Sequence, residues 1–247
     1  MKKALVTGAN KSIGFETARK LAQKGYYVYM GCRDAAKGAQ AVAALQAEGL
    51  TQVEAIQLDV TNAASITAAQ ALLQSKITSL DLLVNNAGIS GGFPQPQRAA
   101  DCNLQLVREV FETNFFGVIA VTQAFLPLLK AAAEAVIVNV TSGLGSLTLH
   151  SDPAWQYYAV KGAAYGPSKT ALNAWTVVLA YELRDTTVRV NVVDPGYTAT
   201  DFNHHSGHLS VTDSAAFVVK YATIDAAGPH GKFFSHDIAV NNHESPW

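Results

Sequence analysis

The sequence predicts an α/β protein with a doubly wound, mostly parallel sheet of seven strands, helices on both faces and three layers in all. Three observations carry this. Short apolar, β-rich runs alternate with longer helix-like runs along the chain, the pattern of a parallel sheet covered on both sides. Two of the early helix-like runs stop at a glycine, which tolerates the left-handed turn that closes a helix. With 247 residues, 49% of them apolar and 15% charged, the chain can bury a sizeable core.

In chain order, residues 4–7 read as the first strand and 15–24 as a helix stopped by Gly25. A second strand over 26–32 leads to an Ala-rich helix over 35–48, stopped by Gly49. A third strand (53–58), a third helix (63–76) and a fourth strand (80–84) follow, then a loop over 89–96 rich in Gly, Pro and Ser. A long helix spans 104–130, with Pro127 bending its last turn. A fifth strand (135–141), a helix (168–184), a sixth strand (188–193), a helix near 212–223 and a short strand over 231–235 complete the order. No repeat, low-complexity tract or linker interrupts it, so residues 1–247 are expected to form one domain.

Composition narrows the function. A net charge of −1 gives no electrostatic reason for a nucleic acid or an anionic membrane as partner. Cys32 and Cys102 lie far apart and form no C-x-x-C pair, which fits free thiols in a reducing compartment. Thr7-Gly8 cuts the apolar start too short for a signal peptide, and no segment reads as long enough to span a membrane. A cytoplasmic protein is the expectation.

In an open parallel sheet, ligands bind outside the carboxyl ends of the strands. There the sequence places Thr7-Gly8-Ala9-Asn10-Lys11-Ser12-Ile13-Gly14, a Gly loop that lets backbone approach a pyrophosphate at a helix N-terminus. Asp59, in Leu58-Asp59-Val60, stands where it can accept from an adenine amino group. Asn86-Ala87-Gly88 combines small residues that admit a ribose with an amide that can bond it. Ser142 follows strand five, and Asn114 is polar within an apolar helical patch. Two Tyr-x-x-x-Lys pairs occur, Tyr157/Lys161 and Tyr165/Lys169. On a helix, that spacing stacks an ammonium one turn from a phenol, favouring the phenolate and acid–base work. Gly162 follows Lys161 at once, whereas residues 168–184 contain no Gly and put Leu172, Trp175, Leu179 and Leu183 on one face. Helix formation therefore favours Tyr165/Lys169.

These motifs resemble those of the short-chain dehydrogenase/reductase family with its single Rossmann domain. The Gly loop resembles T-G-x-x-x-G-x-G, with Ser12 in place of the middle glycine; Asn85-Asn86-Ala87-Gly88 matches N-N-A-G; and Pro195-Gly196 to Thr200 matches P-G-x-x-x-T. Residues 7–16 and 228–235 are similar to carbonyl reductases. The resemblance implies reduction of a ketone or aldehyde by hydride from NADPH, with Asn114, Ser142, Tyr165 and Lys169 as a catalytic tetrad. Tyr165 would give the proton, Lys169 would lower the phenol pKa and hold the nicotinamide ribose, Ser142 would bond the carbonyl, and Asn114 would hold a water. It also implies cofactor contacts at Gly8, Asn10, Lys11, Ser12, Ile13, Gly14, Arg33, Asp59, Val60, Asn86, Ala87, Gly88, Tyr165, Lys169, Pro195, Gly196, Thr198 and Thr200.

Aligned with the family, the position of the ribose-binding acid falls on Cys32. Lys11 and Arg33 are cations suited to a 2′-phosphate, so NADP(H) is preferred over NAD(H), with Asp34 nearby. Leu144, Trp155, Tyr157 and Phe202 are expected to line a substrate pocket, the stretch 147–164 being its wall. A dimer or tetramer is expected. His204, His205 and His208 have metal-like spacing but no cysteine nearby, and read as a surface loop without a metal. A non-catalytic NADP(H) sensor is the alternative.

Overall fold

The computed structural model describes residues 1–92 and 98–247, so the second half of the predicted loop 89–96 lies outside the described residues. The strands are β1 (Lys3–Thr7), β2 (Tyr27–Cys32), β3 (Val53–Gln57), β4 (Leu82–Asn85), β5 (Ala135–Val140), β6 (Val188–Asp194) and β7 (Phe233–Ser235). They form one sheet in the order β3-β2-β1-β4-β5-β6-β7, and every pairing is parallel. The order reverses between β1 and β4, and the crevice outside that point is where such sheets bind ligands.

Alternation along the strands separates two cores. Ala4 and Val6 of β1 face α1 (Ser12–Gln23), α2 (Ala35–Ala47) and α8 (Val211–Ala222). Leu5 faces α3 (Ala63–Lys76), α5 (Gly117–Lys130) and α7 (Tyr165–Leu183). Phe125, wholly buried on the second side, illustrates the magnitude: truncating such a ring to alanine costs about 3–5 kcal/mol.

Most predicted elements appear with ends moved by about two residues, the usual scatter at termini. Three differences matter. The helix over 104–130 is not one regular helix, because a π-helical turn, Glu112–Phe116, joins α4 (Leu104–Phe111) to α5. Gly117 closes that turn by donating its N–H to Glu112 O, and a Cβ there would come within 2.8 Å of Val60 O. The combined run of 27 residues, which holds an 18-residue window of mean hydropathy 1.2, does reach the length and composition of a membrane span, which corrects the expectation that no segment would. Its apolarity has another use here: Val121, Phe125 and Leu129 are fully buried against the sheet.

The second difference is that α7 begins at Tyr165 rather than Ser168, with Gly166 and Pro167 inside its first turn. Pro at that point forgoes an N–H that no carbonyl of the helix would accept. Third, the stretch 147–164 carries a short helix, α6 (Leu147–Ser151), before a series of turns.

Candidate active site

The Gly loop closes against β4 through its own polar groups. Gly8 has φ +64°, a left-handed conformation open to glycine, and a Cβ on Gly14 would lie 2.4 Å from both Gly8 O and Asn86 Nδ2. Thr7 Oγ1 accepts from the amides of Asn86 and Ala87, both at 3.0 Å, and Asn86 Nδ2 donates to Thr7 O at 2.9 Å. The Asn86 amide nitrogen is thus spent on the loop. Ser12 sits at φ +52° where the family pattern has glycine.

Whether this loop fits a pyrophosphate is answered by the start of α1. Its N-cap, Lys11, supplies no side-chain cap, and no acidic residue stands in the first turn. By contrast, Asp34, Asn62 and Ser210 cap α2, α3 and α8 with their side chains. The first amides of α1, reaching from Ser12 and Ile13 to Gly14, are left for an anion, as the family's dinucleotide requires. Asn10 is half-buried in the same loop.

At the end of β2, Cys32 is buried and its thiol is pushed up to about 11, chiefly by that burial. Arg33 is exposed, and Asp34 is occupied, accepting from Lys37 N at 3.1 Å. Lys11 pairs with Asp201 at 2.9 Å across the mouth of the cleft. Asp59 Oδ1 is held by Thr61 N and Thr61 Oγ1 at 3.0 and 2.8 Å, a local turn, and Val60 packs on Gly117.

The chemical end is built by α7. Lys169, 4% exposed, donates from Nζ to Val140 O at 2.8 Å, and Nζ lies 5.7 Å from the centre of the half-buried Tyr165 ring. Burial lowers the Lys169 ammonium to about 8, while Asp194 acts in the opposite direction. The Tyr165 phenol is raised, by burial first and Asp194 second, with a hydrogen bond from Ser142 pulling it down. Lys169 is expected to lower this phenol; in the structure the direction is upward, because burial outweighs the Ser142 contribution. Asn114, fully buried in the π-helical turn, is held by both ends of its amide: Nδ2 donates to Ile89 O and Ser168 Oγ, and Oδ1 accepts from Ile89 N. A Cβ on Gly88 would lie 3.2 Å from Asn114 Oδ1 and 3.7 Å from Lys169 Nζ, so the two ends meet there.

The rival pair is not assembled. Tyr157 lies in a turn, and Lys161 reaches His150 O at 2.5 Å and the Tyr158 ring at 4.2 Å. Burial first, and then the nearby Asp237, raise the Tyr157 phenol. The expected pocket residues do gather at the site. Trp155 and Tyr157 contact edge-on at 5.4 Å, and a Cβ on Gly143 would lie 3.2 Å from Trp155. Phe202 stands edge-on to Tyr165 at 5.4 Å, and Leu144 N donates to Ser142 Oγ. Thr198 and Thr200 are turned inward. Thr198 Oγ1 bonds to Gly196 O and Ser214 Oγ, and Thr200 caps the short turn Asp201–Asn203. Pro195 is buried and Gly196 has φ +80°. Among the described residues no three His, Cys, Asp or Glu side chains form a metal-binding group, and His204 and His205 adopt left-handed backbone in the loop after Thr200.

Two acids went unpredicted. Asp194, 4% exposed, ends β6 behind Tyr165, and Asp237 lies beside it. The available signal was a carboxylate at the very end of an apolar strand, directly before Pro195-Gly196.

Residues 2–209 match the family model for short chain dehydrogenase. The chain is 32% identical to (+)-neomenthol dehydrogenase of Capsicum annuum, over 94% of both chains. It is 33% identical to (−)-isopiperitenone reductase of Mentha piperita, over 96% of this chain and 97% of that one. An NADPH-bound carbonyl reductase from chicken fatty liver superposes with a TM-score of 0.82 at 29% identity, covering 100% of this chain and 99% of the other.

Proposed function

This chain belongs to the short-chain dehydrogenase family, an NAD(P)H-dependent oxidoreductase acting on small carbonyl compounds, and we propose that it reduces a ketone or aldehyde with NADPH, Tyr165 giving the proton. The observation that carries the reading is the Lys169 ammonium, buried one helical turn from a half-exposed phenol at the carboxyl edge of the sheet. A bound reduced nicotinamide supplies the hydride. The protein's part is electrostatic and geometric: a protonated Tyr165 donates to the oxygen on which negative charge develops, and Ser142 adds a second donor. Lys169 holds positive charge nearby, and Asn114 fixes the segment after β4 on which Gly88 sits. Leu144, Trp155, Tyr157 and Phe202 present apolar surface, which suits a hydrophobic carbonyl compound.

The preference for NADP(H) over NAD(H) is supported by a buried thiol, not a carboxylate, at the end of β2, by Asp34 being used as a helix cap, and by the exposed Arg33. The chicken carbonyl reductase carries NADPH. Arg33, with Lys11, would take the 2′-phosphate, and the uncapped start of α1 the pyrophosphate. A homo-oligomer is supported by exposed Val177, Val178 and Tyr181 along α7, and by Phe116 at the head of α5; light scattering showing a monomer would refute it.

The test is NADPH oxidation over a panel of hydrophobic ketones. Wild type is expected to turn over at least one of them, and Tyr165→Phe to lose turnover while still binding NADPH. Turnover lost in Tyr157→Phe but kept in Tyr165→Phe would refute the assignment.

A further inference from the structure

The ends of β5, β6 and β7 converge on one side chain outside the motif. Asp194 Oδ1 accepts from Gly196 N at 3.0 Å, and Oδ2 accepts from Ser235 Oγ at 2.7 Å. The backbone of Gly143, next to Ser142, lies against the same carboxylate and favours its charged form. The fit is tight, since a Cβ on Gly143 would lie 3.3 Å from Asp194 Oδ2, and one on Gly196 would lie 2.9 Å from Asp237 Oδ1. The same loop reaches Lys169, because a Cβ on Gly145 would fall 2.9 Å from Lys169 Cβ. Among the described residues Asp194 is the charged group that acts on Lys169. A carboxylate buried to this degree is costly unless partners hold it.

We propose that Asp194 is a positioning residue for the carbonyl reduction: buried where the ends of β5, β6 and β7 meet, it packs the Ser142–Gly143 loop against the Pro195–Gly196 turn and presents its negative charge to the Lys169 side of that loop. The proposal rests on Tyr165 and Lys169 being the acid pair. Burial draws Lys169 down to about 8, and the Asp194 charge opposes that. Asp194 is itself raised to about 6, by burial and then by Asp237, so it is charged at neutral pH. It also raises Tyr165. Removing its charge therefore moves Lys169 and Tyr165 the same way, toward losing their protons at lower pH. The other ionisable neighbours sit one step further out: Tyr157, His208 and His236 act on Asp237.

Asp194→Asn keeps the shape and removes the charge. At saturating NADPH, the alkaline limb of kcat/KM for ketone reduction is expected to move at least about half a unit toward lower pH, a modest effect for a nearby charge. Lysine 15N NMR of the NADP-bound enzyme reads the Lys169 titration without turnover and should move the same way. A lower kcat with both the limb and the titration unmoved would make Asp194 a structural tie only and overturn the proposal. If wild type reduces no ketone yet the Lys169 titration still moves in Asp194→Asn, the reductase reading fails while the link between Asp194 and Lys169 stands. Should Asp194→Asn fail to fold, Ser235→Ala removes the hydroxyl that keeps Asp194 ionised. The Lys169 titration is then expected to move in the same direction by less, and no movement again overturns the proposal.

Discussion

The two ends of the cleft solve opposite problems. At the nucleotide end, between β1 and β4, polar side chains are consumed internally: Thr7 and Asn86 bond the Gly loop, Asp59 bonds Thr61, and Asp34 caps α2. What remains for a ligand is backbone amide at α1 and the exposed cation Arg33, with Lys11 nearby but paired to Asp201. At the chemical end, between β5, β6 and α7, ionisable groups are buried and shifted, with Lys169 lowered and Tyr165 and Asp194 raised. On the proposed reading, binding falls to backbone shape and catalysis to desolvated charge. Substitutions at one end should move affinity, and those at the other should move kcat.

The largest expected effect lies at the chemical end. Tyr165→Phe removes the proposed acid and should lower kcat by roughly 10²–10⁴-fold, the range for a general acid, with NADPH affinity unchanged by fluorescence titration. A variant that lost affinity instead would collapse the division of labour. Next comes Gly14→Ala. Its new methyl would press on the Gly8 carbonyl and the Asn86 amide at 2.4 Å, contacts that cannot relax without opening the loop. Overpacking of this kind costs about 1–3 kcal/mol, and thermal unfolding should register it together with NADPH binding weakened at least about tenfold. Preserved affinity at lowered kcat would put Gly14 on the wrong side of the comparison.

Arg33→Ala separates the cofactors. Charge-assisted hydrogen bonds to a phosphate are worth about 1.5–3 kcal/mol, so affinity for NADPH should fall roughly 10- to 100-fold and affinity for NADH hardly at all. Equal losses for both cofactors would show that Arg33 does not distinguish the 2′-phosphate.

The two ends also differed in how far they were legible from residues alone. Strands, glycine stops and the Tyr165/Lys169 turn follow from local patterns, and so appeared at nearly the right places. The π-helical turn did not, because it depends on Asn114 bonding the backbone of Ile89, 25 residues away. Asp194 and Ser235, 41 residues apart, meet only because β7 pairs with β6. Thr198 carries a hydroxyl suited to a cofactor, yet spends it on Ser214. Patterns tell which groups arrive at the strand ends, but not which partners claim them first.

Ser12 gives the smallest effect and a sign that decides between two terms. Its φ of +52° places a Cβ-bearing residue in left-handed backbone, which costs about 1–2 kcal/mol relative to glycine. Against this, glycine in the unfolded chain has more freedom to lose, worth about 0.4–1 kcal/mol. Ser12→Gly should therefore stabilise slightly, by at most about 1.6 kcal/mol, which raises Tm by no more than about 6 °C in a chain of this size. If the Gly loop holds its ligand by backbone alone, NADPH affinity should be kept or improved. A clear loss of affinity in Ser12→Gly would mean that the Ser12 hydroxyl itself bonds the phosphate, and the nucleotide end would then hold its ligand partly by side chain.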